Sequence, residues 1–327
     1  MSRPILILAL FGALGVVSLC LGVAVGSVPL SAADVARALA GQASSPVSDI
    51  VLKVRLPRVL AGFACGGLLA LAGALLQVLL RNPLADPYIL GISGGAGLGL
   101  LAATSLGIGY AGSQLAGLAG ALVAVLAVFG LSFRAGDWNL YRLLLTGVVF
   151  SAGCSALISL ILLLAPQTAV KGMLFWMLGD LSDATSPQWA WLGLAVCGMT
   201  SVLASGALNV MLLGRSKAIS LGVPVTSAEV IIYVIASAAT VTSVSLAGTV
   251  GFVGLIVPHL LRLWLGPDQR LLIPASALGG AAFLVLADAA TRLLFPAFHA
   301  EPPVGVVTAV LGGPLFVWLL NRGEQPA

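Results

Sequence analysis

Charge is what this sequence has least of. Lys, Arg, Asp and Glu together make 8% of the 327 residues, while 60% are apolar. Soluble domains carry about 25% charged residues, so a sizeable soluble domain is excluded and the chain reads as an integral membrane protein. The net charge of +4 is spread along the chain and forms no basic patch for nucleic acid. Histidine is almost missing: His259 and His299 stand alone and far apart, too far to share a metal ion. Cys20, Cys65, Cys154 and Cys197 sit singly in apolar stretches with no CxxC. They read as small buried residues and imply neither disulfides nor metal. No GxxxxGKS/T, GxSxG or HExxH occurs, so the chain has no phosphate-cradling loop, nucleophile elbow or zinc helix of its own. No catalytic residue is assigned, no enzyme is expected, and no cofactor is expected to be bound.

Long apolar runs fill what remains. A helix needs about 20 apolar residues to cross a bilayer. The candidates are Ile5–Gly26, Val59–Leu80, Tyr88–Gly107, Gly112–Phe133, Leu143–Ala165, Gln188–Leu212, Ser227–Ala247, Val250–Gly266, Leu271–Leu293 and Pro303–Leu320. The eighth is short and broken by Gly251, Gly254 and Pro258. Arg3 followed by an apolar run has the look of a secretory signal. However, no charge appears from Pro4 to Ala33, longer than a signal core of about 7–15 residues, so a retained first span is expected. Gly91, Gly95 and Gly99 recur every four residues, as do Gly62 and Gly66, a spacing that lets helices approach closely. Between spans, Ser27–Pro57 is mixed and polar, with a helix start at Ser31-Ala-Ala-Asp34. Pro166–Pro187 reads as a short interfacial helix and a loop, with Trp176 at the membrane boundary. Ten spans put both termini on one side; if that side is the cytoplasm, nine of the fifteen cations lie inside, a modest positive-inside bias. The expectation is one all-α transmembrane domain, residues 1–327.

One polar stretch interrupts the pattern. Gly214–Pro224, GRSKAISLGVP, holds two cations between two glycines, with uncharged Ala184–Leu213 before it. After the single Glu229, Val230–Leu261 is again uncharged. Seven residues between breakers make about 10 Å of helix, far short of a span. By itself the stretch is an ordinary inter-helix loop; at a membrane surface it also suits contact with a soluble partner.

Ion- and proton-coupled carriers place ionisable groups in their spans. Here Asp288 stands well inside one, and Arg292 follows four residues later, a spacing that favours a local ion pair. An ion-coupled secondary transporter remains the alternative class, and the scarcity of buried carboxylates argues against it. Arg55, Arg58 and Arg292 all reach the same outer face. Charge alone fits docking of an acidic partner and anchoring to lipid headgroups equally.

Several stretches resemble one family, the permease subunits of bacterial binding-protein-dependent ABC importers for vitamin B12, haem and iron-siderophores. They include Arg55-Leu-Pro-Arg58, Ala70-Leu-Ala-Gly73 with Gln77, and Arg81-Asn-Pro-Leu-Ala-Asp-Pro87 followed by Gly91-Ile-Ser-Gly-Gly-Ala96. Phe175-Trp-Met-Leu-Gly179 and Ala247-Gly-Thr-Val-Gly-Phe-Val-Gly-Leu-Ile-Val-Pro-His259 follow, then Pro303-Val-Gly-Val-Val-Thr308. The resemblance runs over nearly the whole chain, and RNPLADP and GFVGLIVPH are each specific. It implies a type II importer permease fold with ten transmembrane helices, a homodimer with the path at its two-fold interface, two separate cytoplasmic ATP-binding subunits that use ATP and magnesium, and a periplasmic binding protein. The place implied is the bacterial inner membrane, with both termini cytoplasmic. Residues 214–224 become a cytoplasmic coupling helix: Gly214, Arg215, Ser216, Lys217, Ala218, Ile219, Ser220, Leu221 and Gly222. Arg215 and Lys217 are expected on its polar outer face, with Ile219 and Leu221 filling an apolar cleft of the ATPase. Arg55, Arg58 and Arg292 become docking residues for the binding protein. A cytoplasmic gate falls at Asn82 and Leu84, and at Leu140 and Tyr141, where the second pair is bulkier than the small hydroxyl residues of some relatives.

Overall fold

The computed structural model describes residues 3–134, 137–184, 186–294 and 301–323, and they are overwhelmingly helical. Seven helices are long and apolar enough to cross a bilayer: α1 (Arg3–Ala24), α4 (Leu56–Leu79), α6 (Tyr110–Ser132), α7 (Leu140–Leu164), α9 (Gln188–Leu212), α11 (Val225–Ala247) and α13 (Gln269–Leu293). Three shorter apolar helices, α5 (Ile92–Ser105), α12 (Val253–Leu265) and α14 (Val304–Gly323), complete the expected ten. Between them lie α2 (Ala32–Leu39), α3 (Val47–Asp49), α8 (Gln167–Met177) and α10 (Arg215–Ser220). Among the described residues, strand structure is limited to Phe133–Arg134 paired antiparallel with Asp137–Trp138. His299 lies outside the described residues.

The bundle is organised on α4. Nearly all of its side chains are buried, as are the small residues it presents, and α13, α11, α12 and α9 pack around it. Small residues set these contacts. A Cβ added at Gly73 would fall on the Gly254 carbonyl of α12, and one at Gly66 on the Gly280 carbonyl of α13. The same occurs between Gly95 of α5 and Gly120 of α6, and at Gly99 against Ala116. Helices in lipid gain little from apolar burial alone, so such backbone approaches, with their dense dispersion contacts, hold the bundle.

Three expectations change. The third span does not begin at Tyr88. The chain leaves α4, turns, and runs through a 3₁₀ segment, Pro87–Leu90, whose start is capped by Asp86 accepting from the Tyr88 N–H at 2.8 Å. Gly91 ends that segment in the left-handed region (φ 77°), so it serves the turn and leaves the helix face to Gly95 and Gly99. The eighth span is a single helix of 13 residues despite Pro258, about 20 Å long. It begins after Phe252, itself at φ 70°, and nearby Gln77 donates to the Leu255 carbonyl (3.1 Å) and accepts from Arg262 (3.1 Å). Finally, Cys20 is exposed while Cys65, Cys154 and Cys197 are buried, and all four are free.

The polar segments behave as their sequences direct. Ser31 and Asp34 form a reciprocal capping box that starts α2. Pro166 precedes α8, which ends at a turn through Gly179 (φ 78°). That turn is stitched to the ends of α11 and α14: the Asp180 N–H donates to Ala247 (2.9 Å), Thr249 Oγ1 to Met177, and the Gly305 N–H to Gly179 (3.4 Å).

Candidate functional site: two ends of one bundle

At one end, where α4 begins and α13 finishes, the three arginines meet. Arg55 donates to the carbonyls of Val23 (3.1 Å), Ala24 (2.9 Å) and Val28. Arg292 donates to Gly22 (2.8 Å) and Val25 (2.7 Å). These carbonyls belong to the last turn of α1 and the chain just beyond it, where a helix leaves acceptors unpaired and carries partial negative charge. No basic residue of α1 itself stands in its last turn; two arginines from elsewhere take that place. Asp288 lies between Arg58 and Arg292. Arg58 donates through Nε to both carboxylate oxygens (3.0 and 3.1 Å) and reaches Glu301 at 2.6 Å. Arg292 closes on Asp288 at 3.1 Å.

The expectation of three outward-facing cations is therefore modified. Arg55, Arg58 and Arg292 are 4%, 7% and 3% exposed, and they sit beneath the surface around a cavity of about 140 Å³ that Glu301 also lines. The Asp288–Arg292 pair read from spacing is present, enlarged into a knot of three guanidiniums and two carboxylates. Burial opposes the charge of Glu301, but Arg58 overrides it and holds that carboxyl below its ordinary range.

At the opposite end, α10 projects between α9 and α11. Gly214 (φ 105°) and Gly222 (φ 81°) bracket it, conformations that a side chain would strain. Ala218 is buried against the bundle, and the Val223 N–H returns to its carbonyl at 3.0 Å. Leu213, Ile219 and Leu221 are 55%, 58% and 62% exposed, and Ser216, Lys217 and Ser220 are also exposed or partly so. Arg215 departs from the expected outer face. Its guanidinium turns inward to Glu229 of α11, with Nη1 at 3.1 and 2.9 Å from the two carboxylate oxygens.

The two expected gate pairs occupy separate turns. Asn82 accepts from the Leu84 N–H at 2.9 Å and shapes the turn after α4. Leu140 and Tyr141 open α7, where Asn139 caps the Tyr141 and Arg142 N–H groups (3.0 and 3.2 Å); Tyr141 is 71% exposed. A cavity of about 750 Å³ lies among α5, α6 and α8, lined in part by Tyr110, Gln114, Lys171, Trp176, Asp180 and Glu301.

Two participants escaped the sequence reading. Glu301 lies 243 residues from its partner Arg58, and no local spacing points to it. Glu229 carried a signal, as the lone acid between two uncharged stretches, though nothing in its spacing named Arg215.

The comparisons with known proteins agree with this architecture. The FecCD transport family matches residues 14–322. The cobalamin import system permease protein BtuC of Halobacterium salinarum is 39% identical over 310 residues, covering 92% of this chain and 82% of that protein. The vitamin B12 import system permease protein BtuC of Escherichia coli is 39% identical over 290 residues, covering 87% of this chain and 88% of its own length. Among solved structures, one reported as a metal-chelate type ABC transporter in an inward-facing conformation superposes with a TM-score of 0.84 at 27% identity, covering 98% of this chain and 100% of that one.

Proposed function

This chain belongs to the FecCD transport family, and from that premise we propose that it carries a bulky metal chelate from periplasm to cytoplasm, driven by ATP hydrolysed on separate subunits. It is a multi-pass type II ABC importer permease and a transport subunit with no enzymatic role of its own. In this reading cobalamin is the cargo, because the relatives named above are cobalamin permeases; haem and ferric siderophores are the competing chelates. The chain itself binds no cofactor, and ATP with magnesium is held by the ATPase.

The single observation that carries the reading is α10: a two-turn helix clamped between glycines, with Ile219 and Leu221 exposed beside Lys217. An apolar pair on a short surface helix is what a cleft on a soluble subunit can accept. At the far end, three guanidiniums against two carboxylates leave one positive charge in excess, which suits an acidic face on a periplasmic binding protein. Two copies of the chain form the path between them. In support, the middle turns of α7 expose Ala152, Gly153, Ser155, Ala156 and Ser159, small and hydroxyl residues that suit a facing helix, between turns that expose Val149 and Leu163. Asn82, Leu84, Leu140 and Tyr141 then gate the cytoplasmic exit, both termini being cytoplasmic in the inner membrane. ATP binding and the docked binding protein each favour one of two arrangements of the subunits, and that bias suffices for transport.

The ion-coupled alternative is weaker. Among the described residues, Glu229 and Asp288 are the deeply buried carboxylates of the spans, and arginine engages both.

The test is a mild-detergent pull-down of the tagged chain from its native membrane, followed by ATP-dependent uptake of cyanocobalamin, haemin or a ferric siderophore into proteoliposomes. Recovery of an ATPase and a binding protein with cyanocobalamin uptake is expected. Leu221→Asp should lose the ATPase, since it sets a charge where an apolar side chain must be buried. ATP-independent uptake by the chain alone refutes the importer.

A further inference from the structure

We propose that the Arg215–Glu229 pair is the strut through which α10 moves α11, making both of them positioning residues for energy coupling. The inference rests on the ATPase-coupling role given to α10 above.

A helix of six residues cannot hold its own shape or direction in isolation. Three things hold α10. Gly214 and Gly222 supply turns at positive φ, and these act as pivots. Ala218 is fully buried, but a methyl group resists rotation weakly. The third contact is directional. One nitrogen of Arg215 lies between both oxygens of Glu229 (3.1 and 2.9 Å), while its other terminal nitrogen donates to Thr226 Oγ1 at 3.3 Å. The guanidinium thus spans the first turn of α11 from the far side of the Pro224 turn.

The burial is lopsided: the Glu229 side chain is 1% exposed and that of Arg215 is 38% exposed. Placing a carboxylate in a membrane helix is costly, and an apolar pair at the same place would hold α10 to α11 at no such cost. What the ion pair adds is a preferred direction, which apolar contact lacks.

The connection continues beyond Glu229. One turn along α11, Tyr233 is 1% exposed, and its hydroxyl donates to the Val125 carbonyl of α6 at 2.8 Å. From α6, Gly120 meets Gly95 of α5 backbone to backbone. A displacement of α10 is delivered to α11 and α6 together, and α5 lines the 750 Å³ cavity beside α6.

The experiment uses the complete complex reconstituted in proteoliposomes, with ATP hydrolysis and substrate uptake measured on the same vesicles. The variants are Arg215→Gln, Glu229→Gln, the double glutamine variant and Arg215→Lys. We expect each single glutamine variant to co-purify with the ATPase and to hydrolyse ATP, while substrate carried per ATP falls about tenfold, within the 5–150-fold span of ordinary coupling energies. The double variant falls no further than either single one, because both remove the same contact. Arg215→Lys retains most of the coupling, since one nitrogen makes the bridge. Hydrogen exchange of residues 214–223 rises in the glutamine variants. Because the double variant leaves no buried carboxylate unpaired, it keeps the test open if Arg215→Gln fails to fold. Unchanged transport per ATP in the double variant overturns the strut, as do additive losses or a lysine variant as impaired as the glutamine one. An unsubstituted chain that recovers no ATPase removes the importer reading and the strut with it, whereas intact coupling in the glutamine variants removes the strut alone.

Discussion

Replacing Asp288 with asparagine should be among the most damaging isosteric changes this chain can suffer. The side chain is nearly the same size, so packing is kept and the loss is electrostatic. Asp288 is 1% exposed and neutralises two arginines that are themselves 7% and 3% exposed. Breaking a buried pair by removing one partner costs about 3–5 kcal/mol, chiefly from the charge left behind. The lower end applies here: Arg58 keeps Glu301 at 2.6 Å, and Arg292 keeps the carbonyls of Gly22 and Val25. A loss of about 3 kcal/mol lowers the thermal midpoint by about 6 °C or more, at ~2 °C per kcal/mol for a large domain. The assay is thermal unfolding of the detergent-solubilised chain, followed by size exclusion. Adding Arg292→Met to Asp288→Asn removes the stranded cation and should recover part of the loss. A midpoint for Asp288→Asn within 1 °C of the parent would show that the knot is open to water and that its electrostatics are screened.

Two further expectations concern other parts of the molecule. Gly73→Ala drives a methyl group onto the Gly254 carbonyl, so α4 and α12 must separate; a destabilisation of at least 1–3 kcal/mol is expected, measured as a lower thermal midpoint, and a neutral result would refute that backbone contact. The second concerns pH and Glu301. Its folded pKa lies below the ordinary 4.5, so its bridge to Arg58 stabilises the fold above that value and is lost as pH falls through the folded pKa. The difference in thermal midpoint between the parent chain and Glu301→Gln should hold steady from neutral pH down to about 5 and shrink below 4.5.

Much of this architecture was legible because a bilayer imposes length. Runs free of charge become helices wherever they reach about 20 residues, and Ser31 with Asp34 announces the start of α2 through chemistry confined to four residues. The failures have a common cause. The chain between Leu80 and Gly91 reads as the approach to an ordinary span, yet Pro87 and the positive φ of Gly91 spend it on a turn and shorten α5. Arg215 reads as a surface cation because its partner is supplied by a reversal of direction at Pro224, after α10 has ended. Arg55, Arg58 and Arg292 read as an outer cluster because charge patterning shows which end of a helix they occupy. It does not show that the last carbonyls of α1 and the carboxylates of Asp288 and Glu301 stand between them and water.

The glycine contacts have a mechanical consequence. Where Gly66 meets Gly280 and Gly73 meets Gly254, main chain lies against main chain, and no side chain stands between to be bent, rotated or repacked. Such a joint is either shut or parted and has no graded middle. Helices α4, α12 and α13 therefore behave as a single block through a transport cycle, and the travel must be taken up elsewhere. The permease is best pictured as a fixed pillar of three helices about which the others shift.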